Sequence, residues 1–197
     1  MPAGRLPKGN GKAIIFSAPS GAGKSTLVSN LMSSSDLALG FSVSATTREL
    51  RGNEVHGASY FFISQNDFAA KVANEEFVEW EEVYPGLSYG TLCAEVEKMW
   101  AEGVTPVFDV DVIGGQTLKS VFNESALAIF VVPPSIEELE RRLRARGTDS
   151  EESIVKRIGK ASREMVAASA FDVQIVNDTL DAAISETNRV VKEFLKE

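Results

Sequence analysis

Residues 13–31 read Ala13-Ile14-Ile15-Phe16-Ser17-Ala18-Pro19-Ser20-Gly21-Ala22-Gly23-Lys24-Ser25-Thr26-Leu27-Val28-Ser29-Asn30-Leu31. The apolar run Ala13–Phe16 predicts a buried strand, and Thr26–Leu31 reads as a helix. A glycine-containing loop between a strand and a helix start is a phosphate cradle. Gly21 and Gly23 let backbone N–H groups converge on an anion. Lys24 places an ammonium between phosphates, and Ser25 offers its hydroxyl to Mg²⁺. One position departs from G-x-x-x-x-G-K-[ST]: Ala18 holds the first glycine place, where the strand ends and a methyl group is tolerable. The competing reading is a plain Gly/Ser turn before a helix. The stretch specifies nucleotide phosphate and leaves the reaction open.

Three more short runs look like buried parallel strands: Val104–Val110, Leu127–Val132 and Val173–Val176. Helical patterns separate them, which predicts an α/β fold, a doubly wound parallel sheet with ligands at the strands' C-terminal ends. Too much chain lies between the first two runs for one crossover. Phe41–Ala45 and Tyr60–Ile63 read as strands, and Ser64–Asp67 as a capping box opening a helix. Phe77–Tyr84 reads as a strand and Pro85-Gly86 as its turn. Residues 36–90 are therefore a small, mostly β insertion. A stripe of Leu92, Val96, Met99 and Trp100 returns to the core. A second insertion, 135–160, opens at the capping box Ser135–Glu138, breaks at Gly147 and restarts at Thr148–Glu151; such glycine-hinged helix pairs act as lids. The core is then 1–35, 91–134 and 161–197, closed by an amphipathic helix over Asp181–Lys196.

With 197 residues, 44% hydrophobic and 24% charged, the chain holds one ordinary α/β core with insertions. Its net charge of −8 argues against nucleic acid and anionic membranes as partners, so a polyanionic ligand must meet a local basic cluster. One cysteine, Cys93, excludes an internal disulfide, and one histidine, His56, leaves no imidazole cluster for a metal. Residues 1–12 have no apolar h-region and no run approaches membrane-spanning length, so the expected location is the cytoplasm. A two-fold dimer is the prior for a small enzyme of this kind.

The remaining chemistry sits in four clusters. Ser44-Ala45-Thr46-Thr47-Arg48 with Arg51 and Tyr60 suits a second anion site, because guanidinium forks match phosphate oxygens; a solvated loop is the alternative. Strict alternation puts Phe77, Glu79 and Glu81 on one strand face. A carboxylate at Glu79 would read a purine edge, accepting guanine N1–H and N2–H₂ and rejecting adenine, or would be an ordinary surface Glu. Asp109 and Asp111 end a buried run, where an acid holds Mg²⁺ directly or through water, or caps a helix. At ~100° per residue, Arg142 and Arg146 join the Leu139–Leu143 stripe and Arg157 flanks Ile154 and Ile158. Arg141, Arg144 and Arg163 point away. The inward three read as phosphate clamps, or as snorkelling side chains.

Together these motifs resemble the bacterial-type guanylate kinases: the phosphate loop 17–26, Ser44–Arg48, Arg51, Gly57 with Tyr60, Phe77–Trp80, Tyr89-Gly90-Thr91, Asp109–Asp111, Pro133–Ser135, Arg146–Thr148 and Val176–Asp178 fall in family order over residues 12–195. The resemblance implies Mg²⁺-dependent transfer of the ATP γ-phosphoryl group to GMP or dGMP. It implies that Ser44, Glu79, Thr91 and Asp111 face guanine, and that Arg48, Arg51, Tyr60 and Tyr89 hold the GMP phosphate. Lys24, Arg142, Arg146 and Arg157 would surround the transferring group. Ala18–Thr26 would bind ATP, with Asn177 near its base, and Ser25 and Asp109 would hold Mg²⁺, Asp109 through water. Ile113 replaces the usual Gln and Thr91 the Ser of some members. Two alternatives remain: a related kinase with another phosphorylated acceptor, and a noncatalytic guanylate-kinase-like binding module.

Overall fold

The computed structural model describes residues 5–34, 36–147 and 150–196, with Arg146 described only by its place in a helix. Strand β1 (Ala13–Ser17) is buried at all five positions. A strand covered on both faces belongs in the middle of a parallel sheet. It pairs in parallel with β7 (Thr105–Asp109) on one side and β8 (Ala126–Val132) on the other. Strands β2 (Leu39–Phe41) and β9 (Val173–Val176) complete a five-stranded parallel sheet in the order β2-β7-β1-β8-β9.

The alternation of side chains divides the core into two layers. Ile14 and Phe16, with Leu127, Ile129 and Val131, pack with α1 (Lys24–Met32), α5 (Ile136–Arg146) and α7 (Leu180–Lys196). Ala13 and Ile15, with Ala128 and Phe130, pack with α3 (Cys93–Ala101) and α4 (Val112–Phe122). Each fully buried Ile or Phe contributes about 1.5–3 kcal/mol relative to exposure. In α7 the buried residues are Ala183, Thr187, Val190 and Val191, spaced to cover one sheet face. No described helix is long and apolar enough to cross a membrane.

A second sheet has the order β4-β3-β6-β5, made of β3 (Ala45–Thr46), β4 (Phe61–Phe62), β5 (Phe77–Tyr84) and β6 (Leu87–Leu92). Helix α2 (Gln65–Ala73) lies on it, its N-terminus capped by Ser64 accepting from the Asp67 amide. Phe68 of α2 stacks on Phe77 at 4.5 Å.

Two expectations are corrected here. The sheet has five strands, not four, because 41–45 is not one strand. Phe41 ends β2 in the large sheet, and Ala45 starts β3 in the small one. Strands of two and three residues are too short to show a period of two. Strict alternation also fails in β5: Phe77 pairs with Leu92 and Glu79 with Thr91, so a bulge intervenes. Phe77 and Trp80 both meet Phe68, while Val78 enters the main core. Glu79 therefore does not share a face with Phe77.

Candidate active site

The phosphate loop joins β1 to α1, as its sequence requires. Gly23, the residue before α1, has φ 95° and Gly21 φ 98°, both in the region that favours glycine. No side chain caps α1, so the helix start presents its own N–H groups. Ala18 is buried in the main core, so the methyl group that replaces glycine gains packing. Pro19 and Ala22 are buried, and the Ala22 amide donates to the Pro19 carbonyl. The Thr26 amide closes the turn onto the Gly23 carbonyl at 3.1 Å. The loop borders a cleft of about 630 Å³, whose other walls include Asp109–Asp111, Tyr84, Ser153, Arg157 and Lys160.

Lys24 pairs with the Asp109 carboxylate and donates to the Val110 carbonyl at 2.8 Å. Ser25 Oγ lies 3.5 Å from Asp109 Oδ2. A hydroxyl and a carboxylate converging beside a phosphate loop are the hard oxygen donors that Mg²⁺ prefers. No group of three His, Cys, Asp or Glu gathers as a metal cage among the described residues. A Mg²⁺ shared with substrate phosphates and water does not require one.

Helix α5 is seated on this loop. Leu139 and Leu143 are fully buried, and a Cβ at Gly21 would come within 2.9 Å of Leu143 and 3.0 Å of Leu139. On the same helix, Arg142 donates to the Asn177 carbonyl at 3.0 Å and to Glu138 at 2.8 Å. Arg157, on α6 (Glu151–Glu164), donates to Ser20 Oγ of the loop at 2.5 Å. Arg141 and Arg144 pair with glutamates on exposed helix surface, and Arg163 meets the Gly159 carbonyl. The angular sorting of arginines thus holds for Arg142 and Arg157. The side chain of Arg146, with Thr148 and Asp149, lies outside the described residues.

On the other side, the small sheet gathers Arg48, Tyr60 and Tyr89. The Arg48 guanidinium sits 5.3 Å from the Tyr60 ring centroid, and the Tyr60 and Tyr89 rings meet edge-on at 5.8 Å. Glu54 grips Arg48 with both oxygens, at 2.7 and 2.9 Å, and also accepts from the Arg51 amide at 2.9 Å. The Arg48 pair and that amide hold the Glu54 carboxyl down at about 2, and the Arg48 guanidinium is held above its ordinary range. In the sequence Glu54 carries no signal beyond being a carboxylate three residues after Arg51 in a turn. Ser44 enters through its backbone, its carbonyl accepting from the Phe61 amide at 2.9 Å.

Glu79 is 8% exposed. Thr91, fully buried, donates its hydroxyl to Glu79 Oε1 at 2.7 Å. Burial, with the nearby Asp111 and Glu81 carboxylates, pushes Glu79 up to about 7 despite that hydrogen bond. Asp111 accepts from the Gly114 amide at 2.8 Å and caps α4. Asp109, the last residue of β7, faces Lys24, and Asp111, two residues on, caps α4. His56 accepts from the Phe62 amide outside the cleft, and Cys93 is buried, its thiol raised by burial.

Residues 10–194 match the family model described as guanylate kinase. A guanylate kinase from Bacteroides fragilis is 52% identical over 95% of this chain and 91% of its own. One from Bacteroides thetaiotaomicron is 54% identical over 94% and 90%. The crystal structure of guanylate kinase from Anaplasma phagocytophilum superposes with a TM-score of 0.67 at 28% identity, over 94% of this chain and 85% of that one.

Proposed function

The chain belongs to the guanylate kinase family and is an ATP:GMP phosphotransferase, catalysing ATP + GMP ⇌ ADP + GDP; on that premise we propose how its residues divide the work. The loop Ala18–Thr26 binds the ATP phosphates, and Arg48, Arg51, Tyr60 and Tyr89 bind the phosphate of GMP. Glu79, with Thr91, Ser44 and Asp111, reads guanine. The acceptor-binding unit is best drawn after Phe41, because β2 pairs in the large sheet. Helices α5 and α6 are the lid.

The observation that carries this division is the end of β7. Asp109 faces Lys24 of the donor loop, and two residues later Asp111 borders Glu79: a Cβ on Gly114 would lie 3.4 Å from Asp111 Oδ1 and 3.8 Å from Glu79 Oε2. One strand end thus joins a phosphate site to a buried purine-reading carboxylate.

The acceptor phosphate is already anionic at neutral pH, so the reaction needs no general base. Its obstacle is charge: two unit charges 4 Å apart repel by about 4 kcal/mol at an effective dielectric of 20. Lys24, Arg142, Arg146 and Arg157 offset this repulsion and stabilise the equatorial oxygens of the moving phosphoryl group. For Lys24, Arg142 and Arg157, binding exchanges internal oxygens (Asp109, Asn177 and Ser20) for phosphate oxygens. The cations are therefore held near their working positions at little cost in side-chain entropy. Ser25, and Asp109 through water, would hold Mg²⁺, which supplies charge neutralisation between the phosphates when bound. The lid excludes water that would otherwise take the phosphoryl group.

Purified protein with Mg²⁺ and ATP should turn over GMP and dGMP at about 1–100 s⁻¹ and leave AMP, UMP and sugar phosphates untouched. Preferential use of any of those acceptors would overturn the guanine assignment. Cytoplasmic location and a two-fold dimer complete the proposal, checked by fractionation and by sedimentation.

A further inference from the structure

Asn177 stands where three parts of the molecule meet. Its backbone amide donates to the Val132 carbonyl at 2.8 Å and extends the β8–β9 pairing, so the large sheet fixes its position. Its side chain is buried, and Nδ2 donates to the Ala22 carbonyl of the phosphate loop at 2.8 Å. Its own carbonyl accepts from Arg142 of α5 at 3.0 Å. A Cβ placed on Gly23 would lie 2.2 Å from Asn177 Nδ2. The loop thus lies directly against the amide.

We propose that Asn177 is a positioning residue for the ATP phosphates, acting through the Ala22–Gly23 peptide of the loop rather than through contact with the nucleotide base. A trans peptide is planar, with its C=O and N–H pointing in opposite directions. Holding the Ala22 carbonyl on the sheet side therefore turns the Gly23 N–H to the cleft side, where an anion is bound. Without that hold, the peptide can rotate and present its carbonyl oxygen to the phosphates. The partner oxygen of Arg142 belongs to the same residue, so the loop's anchor and the docking point of a lid arginine move together. Gly23 is required twice over, by its φ of 95° and by the space the amide occupies.

This inference rests on ATP lying at the loop, and its test needs no turnover. Calorimetric titration with Mg-ATP compares wild type, Asn177→Ala and Asn177→Asp, with GMP titration and thermal midpoint as folding controls. Asn177→Ala should weaken Mg-ATP about tenfold and change GMP affinity less than twofold. A carboxylate cannot donate to Ala22, whereas a protonated carboxyl can. Asn177→Asp should therefore be weak at pH 8 and recover several-fold toward wild type at pH 5.5, each value normalised to wild type at the same pH. Unchanged Mg-ATP affinity in both variants, equal losses for ATP and GMP, or a pH-independent ratio for Asn177→Asp would each overturn the proposal. If Asn177→Ala does not fold, the two pH values for Asn177→Asp decide it. Absence of GDP formation by wild type would contradict the family activity and leave this comparison standing.

Discussion

Glu79→Gln should make the protein more stable and worse at its task. The carboxyl is buried and pushed up to about 7 from an ordinary 4.5. Between those values the folded state holds a proton that the unfolded state has released, so stability falls as pH rises from about 4.5 to about 7 and is flat above. At ~1.4 kcal/mol per pKa unit, the charge costs on the order of 3 kcal/mol at pH 8. Gln is nearly isosteric, accepts from Thr91 as Glu79 does, and carries no charge. At pH 8 the substitution should therefore raise the midpoint by roughly 6–12 °C, at about 2–4 °C per kcal/mol for a chain of this size. At pH 5 the gain should shrink to about a quarter of that, and below about pH 4 it should vanish, because Glu79 is then protonated in the folded and the unfolded state alike. Guanine recognition runs the other way, since the reading carboxylate must be ionised. With a value near 7, GMP affinity should fall about tenfold from pH 8 to pH 6. In Glu79→Gln it should be weak at both, apart from the ionisation of GMP itself. Scanning calorimetry at two pH values and GMP titration give both halves. A Glu79→Gln midpoint lower than wild type at pH 8, or raised equally at pH 5, would rule out a charged, buried Glu79 as the cause.

Three other substitutions probe the phosphate loop and the Arg48 cluster. Lys24→Met removes a phosphate cation and leaves the Asp109 carboxylate unpaired, so kcat should drop by about 10²–10³ while GMP binding is retained; stopped GDP-formation assays check this. Glu54→Gln loosens the two-pronged grip on Arg48 and should raise the KM for GMP by about three- to tenfold, a loss of ~1 kcal/mol in placement, with the KM for ATP unmoved in steady-state kinetics. Gly23→Ala forces a left-handed φ on a residue with a Cβ and drives that Cβ into Asn177. Mg-ATP binding by calorimetry should be lost, with GMP binding intact.

Much of the large sheet is legible in the sequence because β1, β7 and β8 are continuous apolar runs bounded by helical patterns. The edge strand β2 is not, since Leu39–Phe41 is short and half exposed and takes its strand character from pairing with β7. Glu79 stands out in the sequence as a candidate purine reader, but its orientation cannot be read there. The bulge before it breaks the period of two and is set by contacts of Phe77 and Val78 with two different layers. Arg142 and Arg157 lie on the loop side of α5 and α6, as helical angle predicts, because both helices are regular. Glu54 is invisible because its importance comes from the turn that folds it back onto Arg48. Asn177 is named by the resemblance, but its bond to the loop is not, since 155 residues separate it from Ala22.

An ATP-binding loop and a guanine-reading carboxylate should serve one phosphoryl transfer in this protein. Chromatographic quantification of GDP and ADP formed from Mg-ATP and GMP, with wild type and Glu79→Gln run side by side at pH 8, tests it. Wild type should form GDP and ADP in equal amounts, and Glu79→Gln should show a large rise in the KM for GMP with the KM for ATP little changed. No GDP from folded wild type, or equal losses for both substrates in Glu79→Gln, would contradict it.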